Sequence, residues 1–325
     1  MTRSESALRS ALESFAVRSF GDERTSAWAC SIDGAGPPYG VDATVTTHDE
    51  ARRLAEFLRT DADVDPAASE ITMLESNAVP RTVDRRSSPV RAAPDPSAEQ
   101  VTAALYASPV RAFDSSGDWR RVRVADGYVG WVRADHLTER ATSGDPSDVL
   151  RRDVPRDDVP GGFLPAGTAC FGRASNGSGS TVRFRTGLET TVPDEAVTTP
   201  SGAVDGAAVV RTARQFLDTP YRWGGLTSEG IDCSGLVWTS YRVHGLVLPR
   251  DSDQQRRVGR SVDRDELRPG DLLFFPGHVG MSTGGLRFIH AHGDSDGVVE
   301  GSLDPPQSGY VESLDDSLAC CRRIG

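Results

Sequence analysis

The spacing of apolar and polar positions changes along the chain, and each change marks a different kind of element. After Thr47, apolar residues recur at Ala51, Leu54, Ala55 and Leu58, the three-to-four spacing of an amphipathic helix. Thr47-His48-Asp49-Glu50 supplies a capping start for it, so His48 is expected at the cap and not in a site. Strands are expected over residues 26–32, 41–46 and 71–74, which makes residues 1–80 a small α/β unit. From Asn77 to Pro96, Arg, Ser and Pro crowd out the apolar residues and the stretch reads as a linker. Beyond it, short β patterns over residues 101–105, 109–114, 119–124 and 128–132 are separated by Ser115-Ser116-Gly117-Asp118 and Ala125-Asp126-Gly127. Trp119, Val122 and Val124 mix with Arg120, Arg121 and Arg123 as in a half-buried strand, and the group suggests a small barrel. A weaker repetition covers residues 145–200, with strand patterns at 163–168, 181–184 and 189–192.

The last 120 residues or so have another texture. A helix is expected from about residue 202 or 205 to 217, with Val209, Val210, Ala213, Phe216 and Leu217 on one face and Pro220 as its stop. Tyr221-Arg222-Trp223-Gly224-Gly225 then forms a loop, and Asp232-Cys233-Ser234-Gly235 leads into a second apolar helix. Strands follow over 271–275, 278–281 and 287–291. Helices first and antiparallel strands after them argue for α+β layer packing.

Composition narrows the function classes. A chain of 325 residues has room for two to four domains. Its net charge of −11 repels phosphate backbones, so nucleic acid is not an expected partner; Arg81, Arg85, Arg86 and Arg91 read as a solvated connector. There is no lysine, and Asp outnumbers Glu, features that fit GC-rich coding or a salt-adapted surface and identify no reaction. No apolar run approaches the ~18 residues of a membrane helix, and the first fifteen residues carry charges throughout, so neither a membrane span nor a secretory signal is expected and the location expected is cytoplasmic. The five cysteines, Cys30, Cys170, Cys233, Cys320 and Cys321, describe neither a disulfide framework nor a zinc pair.

One cysteine has unusual neighbours. Cys233 sits where Gly230-Ile231-Asp232 becomes a helix, and a helix N-terminus lowers a thiol pKa and offers N–H groups to an oxyanion. His278 opens one strand pattern and His290 closes the next, around the turn Ser282-Thr283-Gly284-Gly285. Eleven residues separate the two histidines. An odd loop or a bulge places them directly opposite each other on one sheet face, whereas a clean two-residue turn puts them on opposite faces. Such a pair gives a general base and a partner that fixes its tautomer.

In order, P-Y-R-W-G-G, D-C-S-G, L-R-P-G-D-L-L-F-F, H-V-G and F-I-H-A across residues 204–325 resemble the NlpC-type cysteine peptidases, circularly rearranged relatives of papain-like enzymes. GDWRRVRVADGYVGWVRADHL resembles the closing pattern of a bacterial SH3-like domain. The resemblance implies a papain-like catalytic domain at 201–325, an SH3-like β-barrel at 81–140, a second, degenerate barrel at 141–200, and the α/β unit of unknown role at 1–80. It implies Cys233 as nucleophile, His278 as base, His290 as its orienting partner and Tyr221 as support for the oxyanion site. Asp232, Ser234, Ser252 and Trp223 are expected at the substrate groove. Barrels ahead of such a domain resemble the cytoplasmic enzymes that trim released wall peptides, in which the first barrel binds the free amine of L-Ala-γ-D-Glu. Tyr128 in G-Y-x-G-W is the candidate contact, although Tyr106-Ala107-Ser108 lacks the acidic residue that relatives carry.

The expected reaction is hydrolysis of a γ-D-glutamyl-diamino acid amide in a small murein-type peptide, with no cofactor and no metal. Three alternatives use the same residues differently. His290-Ala291-His292 with Asp294 and Asp296 offers zinc ligands, but without a further ligand pair at a known spacing. The same fold and triad also serve amidases and acyltransferases on other substrates. A non-catalytic binding module led by the barrels has no need of an intact Cys-His-His set.

Overall fold

The structure is a computed structural model that describes residues 3–139, 142–157, 159, 161–175, 177 and 179–325. The chain divides into two compact units, one of residues 1–80 with 110–132, the other of residues 81–109 with 133–325.

In the first unit, helix α1 (Glu5–Ser19) and helix α2 (His48–Thr60) accompany a three-stranded sheet of Ala29–Asp33, Gly40–Val45 and Glu70–Met73. The first strand pair is antiparallel; the second is parallel, with α2 as its crossover. Thr47 and Glu50 form the reciprocal cap that the sequence announces. Helix α1 is not among the elements expected from the sequence, yet its Leu8, Leu12 and Ala16 recur every four residues and are buried. The hairpin Pro109–Ser116/Trp119–Arg123 and the strand beginning at Val129 contribute to the same unit.

In the second unit, the supposed linker is strand. Val79–Val83 and Ser87–Arg91 lie inside the Asn77–Pro96 stretch, and Ser87–Arg91 pairs with Gln100–Leu105. Polar composition hid a period of two: Ser88 and Val90 are both buried, and the Ser88 hydroxyl meets His136 Nδ1 at 2.9 Å. Asp148–Leu150, Ala169–Ser175, Ser180–Arg183, Glu189–Val192 and Val197–Thr198 form a five-stranded antiparallel sheet over a core that includes Leu150, Leu164, Cys170 and Phe184.

The C-terminal part positions the site. Helix α3 (Gly206–Ala213), capped by Asp205, packs with α4 (Cys233–Arg242), and short α5 (Ser252–Gln255) follows. They precede a six-stranded antiparallel sheet of β1 (Arg260–Val262), β2 (Leu272–Phe275), β3 (His278–Gly284), β4 (Arg287–His292), β5 (Gly297–Ser302) and β6 (Cys320–Arg323), ordered β1-β6-β2-β3-β4-β5. Alternation sorts the side chains. Phe274, Val279, Met281, Ile289 and Ala291 pack with Val209, Leu236 and Val237 of the helices, while Leu273, Phe275 and Phe288 join a second core with Leu303 and Leu314. Each such aliphatic or Phe side chain buried contributes about 1.5–3 kcal/mol, which is why the helix that carries Cys233 is held against the sheet that carries the histidines.

Candidate active site

The loop before α4 is built around Asp232. As N-cap, its carboxylate accepts the Gly235 N–H at 2.6 Å and, across the loop, the Gly224 N–H at 2.7 Å. The Ser234 hydroxyl donates to it at 3.2 Å. Arg250, 0% exposed, donates from both terminal nitrogens, at 2.9 and 2.6 Å. The same guanidinium reaches Ser234 Oγ at 2.9 Å, the Gly225 carbonyl at 3.3 Å and Thr102 Oγ1 at 3.1 Å. Gly235 has to be glycine, because a Cβ there falls 2.3 Å from the Gly225 carbonyl oxygen. Asp232 and Ser234 are thus buried, saturated supports of the thiol-bearing turn.

Cys233 is the first residue of α4, and the backbone N–H groups of Ser234 and Val279 lie near enough to its sulfur to favour the thiolate. The registered pairing of β3 with β4 begins at Met281↔Ile289, and the influence of the Val279 backbone on the thiol puts the sulfur near the start of β3, the strand that His278 opens. His278 Nε2 lies 2.8 Å from His290 Nδ1, in a hydrogen bond between rings that are 9% and 3% exposed as residues. With His278 donating from Nε2, its Nδ1 is the free base.

The hairpin contains the expected irregularity, a register shift between Ser282 and Gly284, but the two histidines are not directly opposite. The register puts Gly280 across from His290, and a Cβ on Gly280 would stand 3.6 Å from His290 Cβ. The His278 ring crosses diagonally over this side-chain-free position. His292, weighed in the sequence only as a zinc ligand, belongs to the same cluster: its ring centroid is 5.0 Å from that of His278 and 5.3 Å from that of His290. Among the described residues no group of three or more His, Cys, Asp and Glu is arranged to hold a metal ion.

The electrostatics differ from the sequence expectation. Burial, and then the Asp232 charge, push the Cys233 thiol up to about 12, against the lowering effect of its two N–H donors and Arg250. Burial, and then His292, bring His278 down to about 4; burial, and then the two neighbouring imidazoles, bring His290 to about 3. The helix N-terminus is present, but desolvation is the larger effect. Both shifts favour the neutral forms of the thiol and of the imidazoles in the unliganded protein.

The remaining candidates are spread out. Tyr221 is bridged to Ile231, two residues before the thiol, and its phenol is pushed up by burial and then by the Cys233 and Asp232 charges. Trp223 is 58% exposed on the same loop. Ser252 is the half-buried first residue of α5, two positions after Arg250. Tyr128 lies in the other unit, 1% exposed, with the Arg24 guanidinium 5.9 Å from its ring centre. Tyr106 is buried too, its hydroxyl 2.7 Å from Thr186 Oγ1. Arg250 is a supporting residue that the sequence pattern does not mark. Its signal was a lone Arg, with a buried acid to neutralise that was not visible in one dimension.

A thiol at a helix start, facing a histidine pair on an antiparallel sheet, defines a papain-like cysteine peptidase domain. Residues 218–314 match the model of the NlpC/P60 family, and residues 90–137 that of the bacterial dipeptidyl-peptidase Sh3 domain. The chain therefore carries an NlpC/P60 cysteine peptidase domain preceded in sequence by a dipeptidyl-peptidase-type SH3 domain. It is 29% identical over 244 residues to a gamma-D-glutamyl-L-lysine dipeptidyl-peptidase of Bacillus cereus, a match covering 65% of this chain and 72% of that protein. A dipeptidyl-peptidase 6 of Lysinibacillus sphaericus is 39% identical over 107 residues, 33% of this chain and 40% of that one, so less than half of that relative is spanned. The crystal structure of an NlpC/P60 family protein from Bacillus cereus shares the fold at a TM-score of 0.63 and 24% identity, covering 76% of this chain and 99% of that one.

Proposed function

We propose that the protein hydrolyses the γ-D-glutamyl-diamino acid amide of released peptidoglycan peptides and liberates L-Ala-γ-D-Glu. The observation that carries the reading is the Cys233 sulfur at the α4 start, near the backbone of Val279, with the adjacent His278 bonded through its Nε2 to buried His290. The names of the two dipeptidyl-peptidase relatives support the substrate class. The sulfur attacks the γ-carbonyl carbon while its proton passes to His278 Nδ1. The tetrahedral oxyanion is met by N–H groups at the α4 N-terminus, with the Tyr221 phenol in support. As the C–N bond breaks, His278 returns the proton to the leaving amine. Water then gives a proton to His278 and attacks the thioester, and the thiol is re-formed with that proton. His290 holds the His278 tautomer throughout.

Trp223 and Ser252 are proposed to line the groove, with Asp232 and Ser234 holding its floor. Residues 81–140 and 141–200 are proposed as two successive barrels, the first meeting the substrate amine; residues 1–80, which form one compact unit with 110–132, are given no role. All five cysteines are free thiols, which supports a reducing, cytoplasmic setting.

The test is mass-spectrometric detection of L-Ala-γ-D-Glu released from L-Ala-γ-D-Glu-diaminopimelate by wild type and Cys233→Ala, with an amino-acetylated substrate alongside. Release that needs Cys233 and the free amine supports the whole reading. Cleavage of the acetylated peptide removes the amine-binding role of the first barrel, Tyr128 included. Intact peptides in every arm remove this substrate and favour an amidase or acyltransferase of the same fold.

A further inference from the structure

Three imidazoles, not two, meet at the mouth of β3 and β4. His278 and His290 are buried and bonded to each other. The third, His292, stands nearly perpendicular to His278, at an interplanar angle of 79°, and tilted by 34° from His290. It is the most exposed of the three, with 28% of its side chain in solvent, and its Nδ1 is 4.0 Å from a carboxylate oxygen of the almost fully exposed Asp294.

We infer that His292 is a positioning residue of this site: its ring covers the solvent side of the His278–His290 pair and keeps His278 in the neutral, proton-accepting form as the pH falls. The inference rests on the reading of His278 as the base. Two effects of the geometry act in the same direction. The ring keeps water from His278, and water is what would stabilise a protonated imidazole. A positive charge on the His292 ring would lie one ring-width from His278 and oppose a second one there. The titratable groups around this arrangement are few. Cys233 comes from the start of α4, near the backbone of Val279, His290 and His292 come from β4, and Asp294 and Asp296 lie in the turn after it. Asp294 is too exposed to offset a charge at His292 by much. Both buried imidazoles are held low by burial first and by His292 as a further cause, in agreement with the ring geometry.

The test reads thiol activation without any peptide substrate. Iodoacetamide alkylates Cys233: the sulfur displaces iodide, its proton passing to His278. The modification at Cys233 is followed by peptide mapping from pH 4 to 9 in the full chain. In His292→Ala, the acid limb of the rate profile is expected to move up by about one pH unit, because His278 is then hydrated and protonates sooner. In His292→Phe, which keeps a ring over the pair but cannot take a charge, a smaller upward shift is expected. If His292→Ala is unstable, His292→Phe carries the test by itself. An acid limb that stays in place in both variants overturns the inference. An acid limb that also survives His278→Ala overturns the base assignment, and this inference with it. Failure to cleave L-Ala-γ-D-Glu-diaminopimelate, with the shift present, counts against the proposed substrate alone.

Discussion

Arg250 places its two terminal guanidinium nitrogens on the two carboxylate oxygens of Asp232, at 2.9 and 2.6 Å, with no solvent exposure of the arginine. Asp232 is also the N-cap of α4, so the pair fixes the turn on which the thiol rides. A buried ion pair is costly to desolvate, and its main consequence appears when one member is removed and the other is left charged and alone.

Arg250→Met is therefore expected to cost about 3–5 kcal/mol of stability, measured from urea unfolding midpoints. Adding Asp232→Asn to it should recover part of that loss. A double-mutant cycle with no coupling between the two positions would show that the fork contributes only packing.

His290 is expected to act through the His278 tautomer and not by touching substrate. His290→Asn keeps an acceptor for His278 Nε2 and should retain most of the amide cleavage rate. His290→Ala should lose about 10²-fold in kcat with KM little changed. Equal losses in the two variants would remove the orienting role.

The sequence made the candidate groups legible because each marks an element boundary: Cys233 opens α4, His278 opens β3, and His290 comes two residues before the end of β4. Periodicity also found α2 and the residues around which β2, β3 and β4 form. What it could not supply were relations across long separations. Arg250 and Asp232 are 18 positions apart, and His292 joins the histidine pair only through the register of one hairpin. The strand Ser87–Arg91 was hidden for another reason: Ser88 is a buried inward position filled by a hydroxyl, so polarity did not report its burial. The thiol pKa was misjudged because a helix start is visible in sequence, whereas the depth at which it is buried is not.

Gly280 keeps the space across which His278 reaches His290. A Cβ there would meet Phe288 Cδ2 at 3.0 Å and stand 3.6 Å from His290 Cβ. Gly280→Val should overpack this face at a cost of about 1–3 kcal/mol, and should lower kcat by more than the stability loss explains, because the imidazole hydrogen bond is displaced. Activity is compared with wild type at a temperature where both remain folded. Wild-type kcat in Gly280→Val would show that the diagonal crossing does not need an empty position.

The histidine pair also ties stability to pH. In the folded protein His278 titrates at about 4 and His290 at about 3, while an unfolded histidine titrates near 6.5. Between those values the unfolded chain binds more protons than the folded one, so stability rises with pH across the window. The contribution is fully present above about pH 6.5 and is lost as the pH falls through about 4. Because the two rings are bonded, the loss belongs to the pair and not to either residue. The urea midpoint of wild type should fall from pH 7 to pH 4 by more than that of a His278→Gln/His290→Gln variant, whose amides do not titrate. Carboxylates elsewhere act on both proteins alike, so the difference between the two curves isolates the pair. Curves that stay parallel down to pH 4 would mean that the imidazoles are hydrated in solution, and the preference for their neutral forms would fall with them.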